Sequence, residues 1–436
     1  MTAGSATWTN WAGNQRSRPA LVEHPRDVDE VALAVKRAAG GRLKVAGTGH
    51  SFTAVAVTEG TLLHLDALDQ VLAADPANGL VTVQAGMPLH VLTRTLAGLG
   101  LAMSNLGDID RQTLAGAIAT GTHGTGARLG GLASQVRGLQ MVTGDGSVLR
   151  CSADEHPDLF AAARVGLGAL GVLTAVTLQC EPAFVLHAQE QVMRIDRVMA
   201  QFDELAERNE HFEFFWFPHT DAAVVKQNNR LPPGQPHRPL GAVRSWVETE
   251  LLGNTMFGAV CQLGLRRPSL IPAINQRSVR LMGERTYTAA SHEVFASPRR
   301  VRFVEMEYAV PRAAVHDAFA AVRAVIDRER LRVSFPVEVR VTQQDDIPLS
   351  TAYGRDSAYL AVHMYRGEKD YERFFRAVET ELTAMQGRPH WGKLHYRRAE
   401  DLRPAYPRFQ EFLAAREQTD PGRVFTNDYL DRMLGP

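Results

Sequence analysis

Val45-Ala46-Gly47-Thr48-Gly49-His50-Ser51 is the stretch on which the fold turns. A short apolar strand, Leu43 to Val45, runs into a loop with a glycine on either side of Thr48 and a histidine after it. Without a Cβ, glycine lets backbone N–H groups converge on an anion. His50 adds a nucleophilic ring nitrogen beside whatever the loop holds. The combination predicts a phosphate cradle for a nucleotide cofactor, with an imidazole placed to tether it. A simple tight turn is the plain alternative. A Rossmann loop would read Gly-x-Gly-x-x-Gly at the start of a helix, with an acid about 20 residues on. Here Ser51-Phe-Thr-Ala-Val-Ala-Val57 follows, which is no helix start.

A second small-residue loop extends the pattern. Gly116-Ala-Ile-Ala-Thr-Gly-Thr-His-Gly-Thr-Gly126 alternates glycines with threonine hydroxyls. Such a surface can line a long polar ligand at close range; a mobile surface loop is the alternative. Gly166-Leu-Gly-Ala-Leu-Gly-Val172 is apolar and suits either a flat ring or close packing of elements. Downstream, Glu338 and Arg340 share one face of a strand whose valines (337, 339, 341) take the other. His363 and Tyr365 do the same on 359–365. If the two strands pair, four polar groups line one wall; a solvated sheet face with an ordinary salt bridge is the alternative. Arg388-Pro-His-Trp-Gly-Lys-Leu-His395 reads as a rigid turn that can aim His390 and Lys393 inward, or as a surface turn.

The bulk properties narrow the classes. The 436 residues are 45% apolar and 22% charged, with zero formal net charge. That is a soluble globular composition, and it argues against a broad nucleic-acid or anionic-membrane surface. Cys151, Cys180 and Cys261 are too scattered for a zinc site or a disulfide framework, so a reducing, cytoplasmic setting is expected. The N-terminal Met-Thr-Ala-Gly-Ser-Ala-Thr-Trp lacks the features of a signal peptide. The most apolar run, 165–178, is interrupted by glycines and is shorter than the roughly 20 residues of a membrane span.

Along the chain, 27–39 reads as a helix capped by Asp27. Strands are expected at 43–46, 61–66 and 80–85, a helix from Pro88 to about Leu99, and a hairpin across Thr-Gly-Asp-Gly at 143–146. After Glu181 the texture changes: strands at 212–217, 302–310, 335–341 and 359–365, helices at 311–328 and 370–385, and a Pro-rich loop at 231–239. That order suggests an antiparallel sheet with helices on one face.

Taken together, these segments resemble the aldonolactone oxidase branch of the vanillyl-alcohol oxidase flavoprotein family, which includes L-gulonolactone, D-arabinonolactone, alditol and xylitol oxidases. The matching pieces are 47–51, 120–126, 168–172, Glu-Val-Arg at 338–340, Arg-Pro-His-Trp-Gly-Lys at 388–393 and Asp-Pro-Gly-Arg-Val-Phe-Thr-Asn at 420–427. They stand in family order over nearly the whole chain, and the set is specific.

The resemblance implies an α+β, two-domain fold of the FAD-binding PCMH type. Residues 10–180 would bind FAD, 181–400 would form an antiparallel-sheet substrate domain, and 401–436 would return to the FAD domain. It implies a covalent flavin bond at His50, and cofactor contacts from Ala46, Gly47, Thr48, Gly49, Ser51, Gly107, Asp108, Thr113, Gly116, Thr120 and Val172. Asp108 departs from the serine frequent in relatives. Glu338, Arg340, His363 and Lys393 match the substrate pocket. The expected reaction is oxidation of a sugar-1,4-lactone, or of a polyol in the second reading. His363 is the expected base, oriented by Glu338; Lys393 takes that role if burial lowers its pKa. Arg340 and Lys393 would steady negative charge. Gly107 stands where an alanine shields the flavin in the related plant lactone dehydrogenase, so O₂ is the expected acceptor, with a lactone dehydrogenase using a non-oxygen acceptor as the alternative.

Overall fold

Asp27 starts the first helix, Val28–Arg37, by accepting a hydrogen bond from Glu30 N at 2.8 Å. Val31, Ala34 and Val35 of that helix pack on a three-stranded parallel sheet ordered Leu21–Glu23, Thr61–Leu63, Leu43–Val45. The computed structural model describes residues 7–435 apart from 233, 242, 243 and 245. The leader reading of the first six residues, and Pro233 of the Pro-rich loop, lie outside the described residues.

Beside the parallel sheet stands a five-stranded antiparallel sheet: Val148–Ser152, Val136–Val142, Val172–Gln179, Leu80–Gln84, Val71–Asp75. Its core is built from alternate residues such as Val81, Val83, Leu139, Met141, Val176 and Leu178. The helix expected from Pro88 is there as Leu89–Gly98, with Pro88 at its N-cap. Two readings shift. The strand expected over 61–66 ends at Leu63, because the chain then closes a turn in which Leu68 N donates to the Leu65 carbonyl (2.9 Å). Val71–Asp75 was not foreseen; it is an edge strand with four exposed residues and no apolar alternation to reveal it.

A third sheet has eight antiparallel strands, ordered Arg285–Ala290, Val185–Arg194, Ala222–Arg230, His211–Trp216, Val337–Thr342, Ser357–Tyr365, Phe303–Pro311, Arg388–Pro389. Directly opposed residues share a face. One face carries Phe212, Phe214, Val337, Val339, Leu360, Val362, Val304 and Met306, buried under the helices Val315–Arg328 and Tyr371–Ala384. The other carries Glu213, Arg340, Glu338, His363, Glu305 and Glu307. An antiparallel sheet ordinarily leaves its polar face wet. Here those six side chains are all buried as well.

They are buried because the first half of the chain covers them. Phe52 N donates to the Gly392 carbonyl (2.7 Å) and Gly126 N to the Val341 carbonyl (2.8 Å). The chain's end ties back to the small sheet: Leu43 N donates to the Val424 carbonyl (2.8 Å), and Lys44 Nζ to Phe425 O (2.9 Å). Asn427 Nδ2 reaches the carbonyls of Ala54, Val55 and Val57. Among the described residues, no helix is long and apolar enough to cross a membrane.

Candidate functional site

The glycine loops open on a long cleft with about 1570 Å³ of empty space, part of it open to solvent. Ala46, Gly47, Thr48, Gly49, His50 and Ser51 line it from one side, and Thr113, Gly116 and Thr120 from the other. Only glycine lets the two loops touch. A Cβ on Gly47 would run into Thr113 Oγ1, and Gly49 sits at φ +73°, against Asn10 Cα. Thr113 caps the helix Leu114–Ala119 by accepting from Gly116 N (3.3 Å), and Ala115 and Gly116 line the cleft.

His50 lies at the end of this cleft, stacked on Trp11 with ring centroids 5.5 Å apart. Burial, reinforced by the Lys393 charge, lowers its pKa to about 4, so the ring is neutral at pH 7. Its buried Nδ1 has no hydrogen-bond partner. A buried ring nitrogen without a partner is costly, and a covalent bond to a cofactor would account for it. The glycine cradle and the orphaned nitrogen fit an extended dinucleotide cofactor.

Three predicted cofactor positions sit elsewhere. The Val172 side chain is in the apolar core with Val31 and Val35, while its neighbours Gly171 and Leu173 face the cleft. Strand alternation accounts for this: one residue's shift in register changes the face. Gly107 is buried against the second loop, where a Cβ would come 3.2 Å from the His123 carbonyl oxygen. Asp108 belongs to a charge network instead: it binds Arg299 Nη2 at 2.8 Å and stands 3.7 Å from Arg340 Nη2.

The predicted pairing of the 337–342 and 357–365 strands is observed, and it brings Glu338, Arg340 and His363 onto one wall. Lys393 joins them from the turn at 390–393, whose Gly392 wedges between Thr120 Oγ1 and Ser51 Oγ. The wall thus abuts both glycine loops. Arg340 pairs with Glu338 and donates through Nε to Glu213 (2.7 Å), which in turn faces Lys226 at 3.4 Å. Tyr365 lies apart, half-buried in a surface groove with Arg302 and Arg366.

The structure revises the role of Glu338. His363 Nδ1 meets the Pro336 carbonyl at 3.1 Å. A carbonyl only accepts, so Nδ1 carries a proton, and the lone pair of the neutral ring falls on Nε2. That Nε2 lies 3.5 Å from Glu305 Oε1. The charge partner of His363 is therefore Glu305, whose carboxyl stays below its ordinary range because Lys393 and His363 outweigh burial. Burial, with Glu213, Asp108 and Glu307 nearby, pushes Glu338 well above its ordinary value despite Arg340. Glu338 is instead the partner of Arg340.

The reading of Lys393 as a base is also overturned. Burial alone would lower its pKa, but the Glu305 ion pair and Glu307 raise it above the ordinary lysine value. Lys393 is a fixed ammonium.

Five further groups escaped the sequence reading: Glu305, Glu307, Glu213, His123 and Arg299. His123 Nε2 binds Glu307 Oε1 at 3.2 Å, and its ring lies 3.7 Å from that of Tyr359. The signal for the glutamates was present. Phe303-Val-Glu-Met-Glu-Tyr places two carboxylates at alternate positions of an apolar strand, as Phe212-Glu-Phe places one. His390, aimed inward as expected, accepts from Gly392 N at Nδ1 (3.0 Å) and is neutral, with burial lowering its pKa to about 3.

Comparison with known proteins supplies the context for this site. Residues 176–433 match the D-arabinono-1,4-lactone oxidase family, and 19–152 match the FAD binding domain family. An L-gulono-1,4-lactone dehydrogenase of Mycobacterium tuberculosis is 42% identical over 99% of this chain and 100% of its own length. An L-gulonolactone oxidase of Bos taurus is 35% identical over 98% and 97%, and an alditol oxidase of a Streptomyces species 32% over 99% and 99%. Among solved structures, a solvent-stable cholesterol oxidase superimposes with a TM-score of 0.84 at 20% identity, covering 99% of this chain and 97% of that one. That last likeness concerns the fold.

Proposed function

This chain belongs to the D-arabinono-1,4-lactone oxidase family of FAD-dependent oxidoreductases, and on that premise we propose that it oxidises a secondary carbinol of a sugar-1,4-lactone. The proposed position is C2, giving a 2-keto lactone that enolises. We assign FAD binding to residues 10–180 with the 401–436 tail, and substrate binding to 181–400.

One observation carries the proposal: a buried wall of His363, Glu305, Lys393, Glu338 and Arg340 that abuts the two glycine loops through Gly392. Bound FAD would supply the hydride acceptor. The protein's part is acid–base and electrostatic. His363 Nε2 takes the hydroxyl proton as the carbinol hydrogen leaves with its electron pair, and Glu305 steadies the resulting imidazolium. Lys393 and Arg340 hold the oxygen on which negative charge grows. Glu338 fixes the Arg340 guanidinium beside that oxygen. Thr113, Gly116, Thr120 and the 46–51 loop would hold FAD, and His50 is the proposed point of covalent attachment.

A full-length likeness to an alditol oxidase supports a second reading, oxidation of a polyol at a terminal carbinol. The three free cysteines are all buried, in keeping with a reducing, cytoplasmic compartment. The deciding experiment mixes the FAD-loaded protein anaerobically with a panel of aldono-1,4-lactones and alditols and follows loss of flavin absorbance. Bleaching by lactones is expected. Bleaching by alditols alone selects the second reading, and no bleaching by any member overturns both.

A further inference from the structure

Where strand Phe303–Pro311 begins and its neighbour Ser357–Tyr365 ends, a groove of about 790 Å³ opens, part of it to solvent. Small-molecule pockets run to roughly 300–1,000 Å³. Helix Phe257–Arg266 forms the facing side through Gly258 and Gln262. Arg300, Arg302 and Arg366 line the groove, and no acid does.

Two of these arginines stand in an unfavourable relation. Arg302 and Arg366 lie one position beyond the opposed pair Phe303 and Tyr365, and Arg366 N donates to the Arg302 carbonyl at 3.1 Å. The ladder therefore sets two like charges opposite each other, which costs stability unless something neutralises them. Neither guanidinium has an ion-pair or hydrogen-bond partner among the described residues. The acids beside the groove are taken up elsewhere. Glu250 binds Arg300 at 2.7 Å, and Glu368, two residues from Arg366, accepts from Ser334 Oγ at 2.9 Å. Arg366 is nonetheless held in place. Its guanidinium lies over Gly13, where a Cβ would come within 2.8 Å of Cζ.

Charge selects the occupant. The Gln262 amide and the Tyr365 hydroxyl also line the groove without a hydrogen-bond partner among the described residues. Two unpaired guanidinium groups thus stand with two neutral donors and no competing anion. A guanidinium fork engages two oxygens at once, and phosphate offers them in that geometry. Two such cations match the double charge of a phosphate monoester, which a single carboxylate does not.

We propose that this groove binds a phosphate dianion, free or carried on a small soluble metabolite such as a sugar phosphate. Arg302 and Arg366 hold the phosphoryl oxygens, and Gln262 and Tyr365 donate to the remainder. Phe303 separates the groove from the catalytic wall, its ring 5.2 Å from that of His363. The bound phosphate therefore touches none of the groups assigned to the oxidation.

The test is isothermal titration calorimetry of the FAD-loaded full chain with inorganic phosphate, glucose 6-phosphate and acetate at constant ionic strength. One saturable site per chain is expected for phosphate or glucose 6-phosphate, with acetate at least tenfold weaker. Tighter binding of glucose 6-phosphate identifies an organic phosphate as the ligand, and tighter binding of phosphate alone identifies the free ion. Arg302→Gln with Arg366→Gln should weaken binding at least tenfold and abolish the rise in Tm that the ligand gives the parent protein. Flavin content and substrate-driven bleaching of this variant should match the parent, which shows that it folds. Lys393→Met should bind phosphate as the parent does. No saturable binding of either phosphate, acetate bound as tightly, or parent-level binding by the arginine variant overturns the proposal. So does loss of binding in Lys393→Met, which would put the phosphate on the catalytic wall.

Discussion

Lys393 and Glu305 form a buried ion pair within the wall that also holds His363. The pair divides the chemistry: it keeps lysine protonated, so the base role in the proposed reaction falls to His363. Replacing Glu305 with glutamine removes the main charge that holds the Lys393 pKa up, so burial then lowers it. The alkaline limb of the flavin-reduction rate should move to lower pH in Glu305→Gln. A stopped-flow pH profile from about pH 6 to 10 reads this directly; an unmoved limb would show that Lys393 is not the cation at work.

His363→Ala should slow flavin reduction by roughly 10²–10⁴-fold, the usual contribution of a positioned base. Substrate affinity should change little by comparison. Lys393→Met should cost roughly 10²–10³-fold through lost charge stabilisation. Single-turnover reduction at saturating substrate separates the two effects from binding.

His50 makes a prediction that needs no turnover. Acid precipitation of the parent protein should carry the flavin into the pellet, and His50→Ala should release it to the supernatant. Flavin freed from the parent protein would remove the tether and leave the unpartnered Nδ1 without an account.

The fold was readable where a pattern had a single physical cause. Alternation placed Glu338 and Arg340 on one strand face, and the observed pairing with 357–365 put His363 beside them. The loops at 46–51 and 116–126 were readable because glycine at those densities has few other uses. Glu305 was hidden for the opposite reason. It lies on a strand read for its apolar residues, and its partners are 58 and 88 positions away. Which of two glutamates balances the histidine depends on tertiary contact. So does the sign of the Lys393 shift, since burial and ion pairing push it in opposite directions.

Buried neutral histidines give the pH dependence of stability. His390 and His395 both have pKa values lowered to about 3, chiefly by burial. On unfolding each returns to about 6.5 and takes up a proton. The unfolded state therefore binds more protons between about pH 3 and 6.5, and stability falls as pH falls through that window. From pH 7 to pH 5 the loss is roughly 2 kcal/mol per histidine. Urea midpoints at pH 7, 6 and 5 should decline accordingly, and His395→Gln should flatten part of the slope.

Gly107 bears on the electron acceptor. A Cβ there would sit 3.2 Å from the His123 carbonyl oxygen and 3.4 Å from Thr122 Cγ2, so alanine fits only after a small shift. Gly107→Ala should slow reoxidation of the reduced protein by O₂ while leaving anaerobic reduction by substrate near the parent rate. Equal slowing of both half-reactions would instead assign the glycine to packing.

Asp108 offers the sharpest test of substrate charge. Its carboxylate binds Arg299 and approaches Arg340, and those two arginines overcome burial to hold it ionised. Asp108→Ser removes the anion and leaves two guanidinium groups beside the wall without it. A lactone is neutral and gains nothing from that change, whereas the ring-opened aldonate carries a carboxylate that the freed Arg299 can bind in a bidentate manner. Asp108→Ser should therefore tighten competitive inhibition by aldonate at least tenfold, with a smaller change in the lactone KM. Arg299→Gln in the same background should reverse the gain. If aldonate inhibition is unchanged in Asp108→Ser, Arg299 does not reach the ligand, and the carboxylate serves only to fix the loop at 296–302 through the Ser297 N to Asp108 O bond of 3.0 Å.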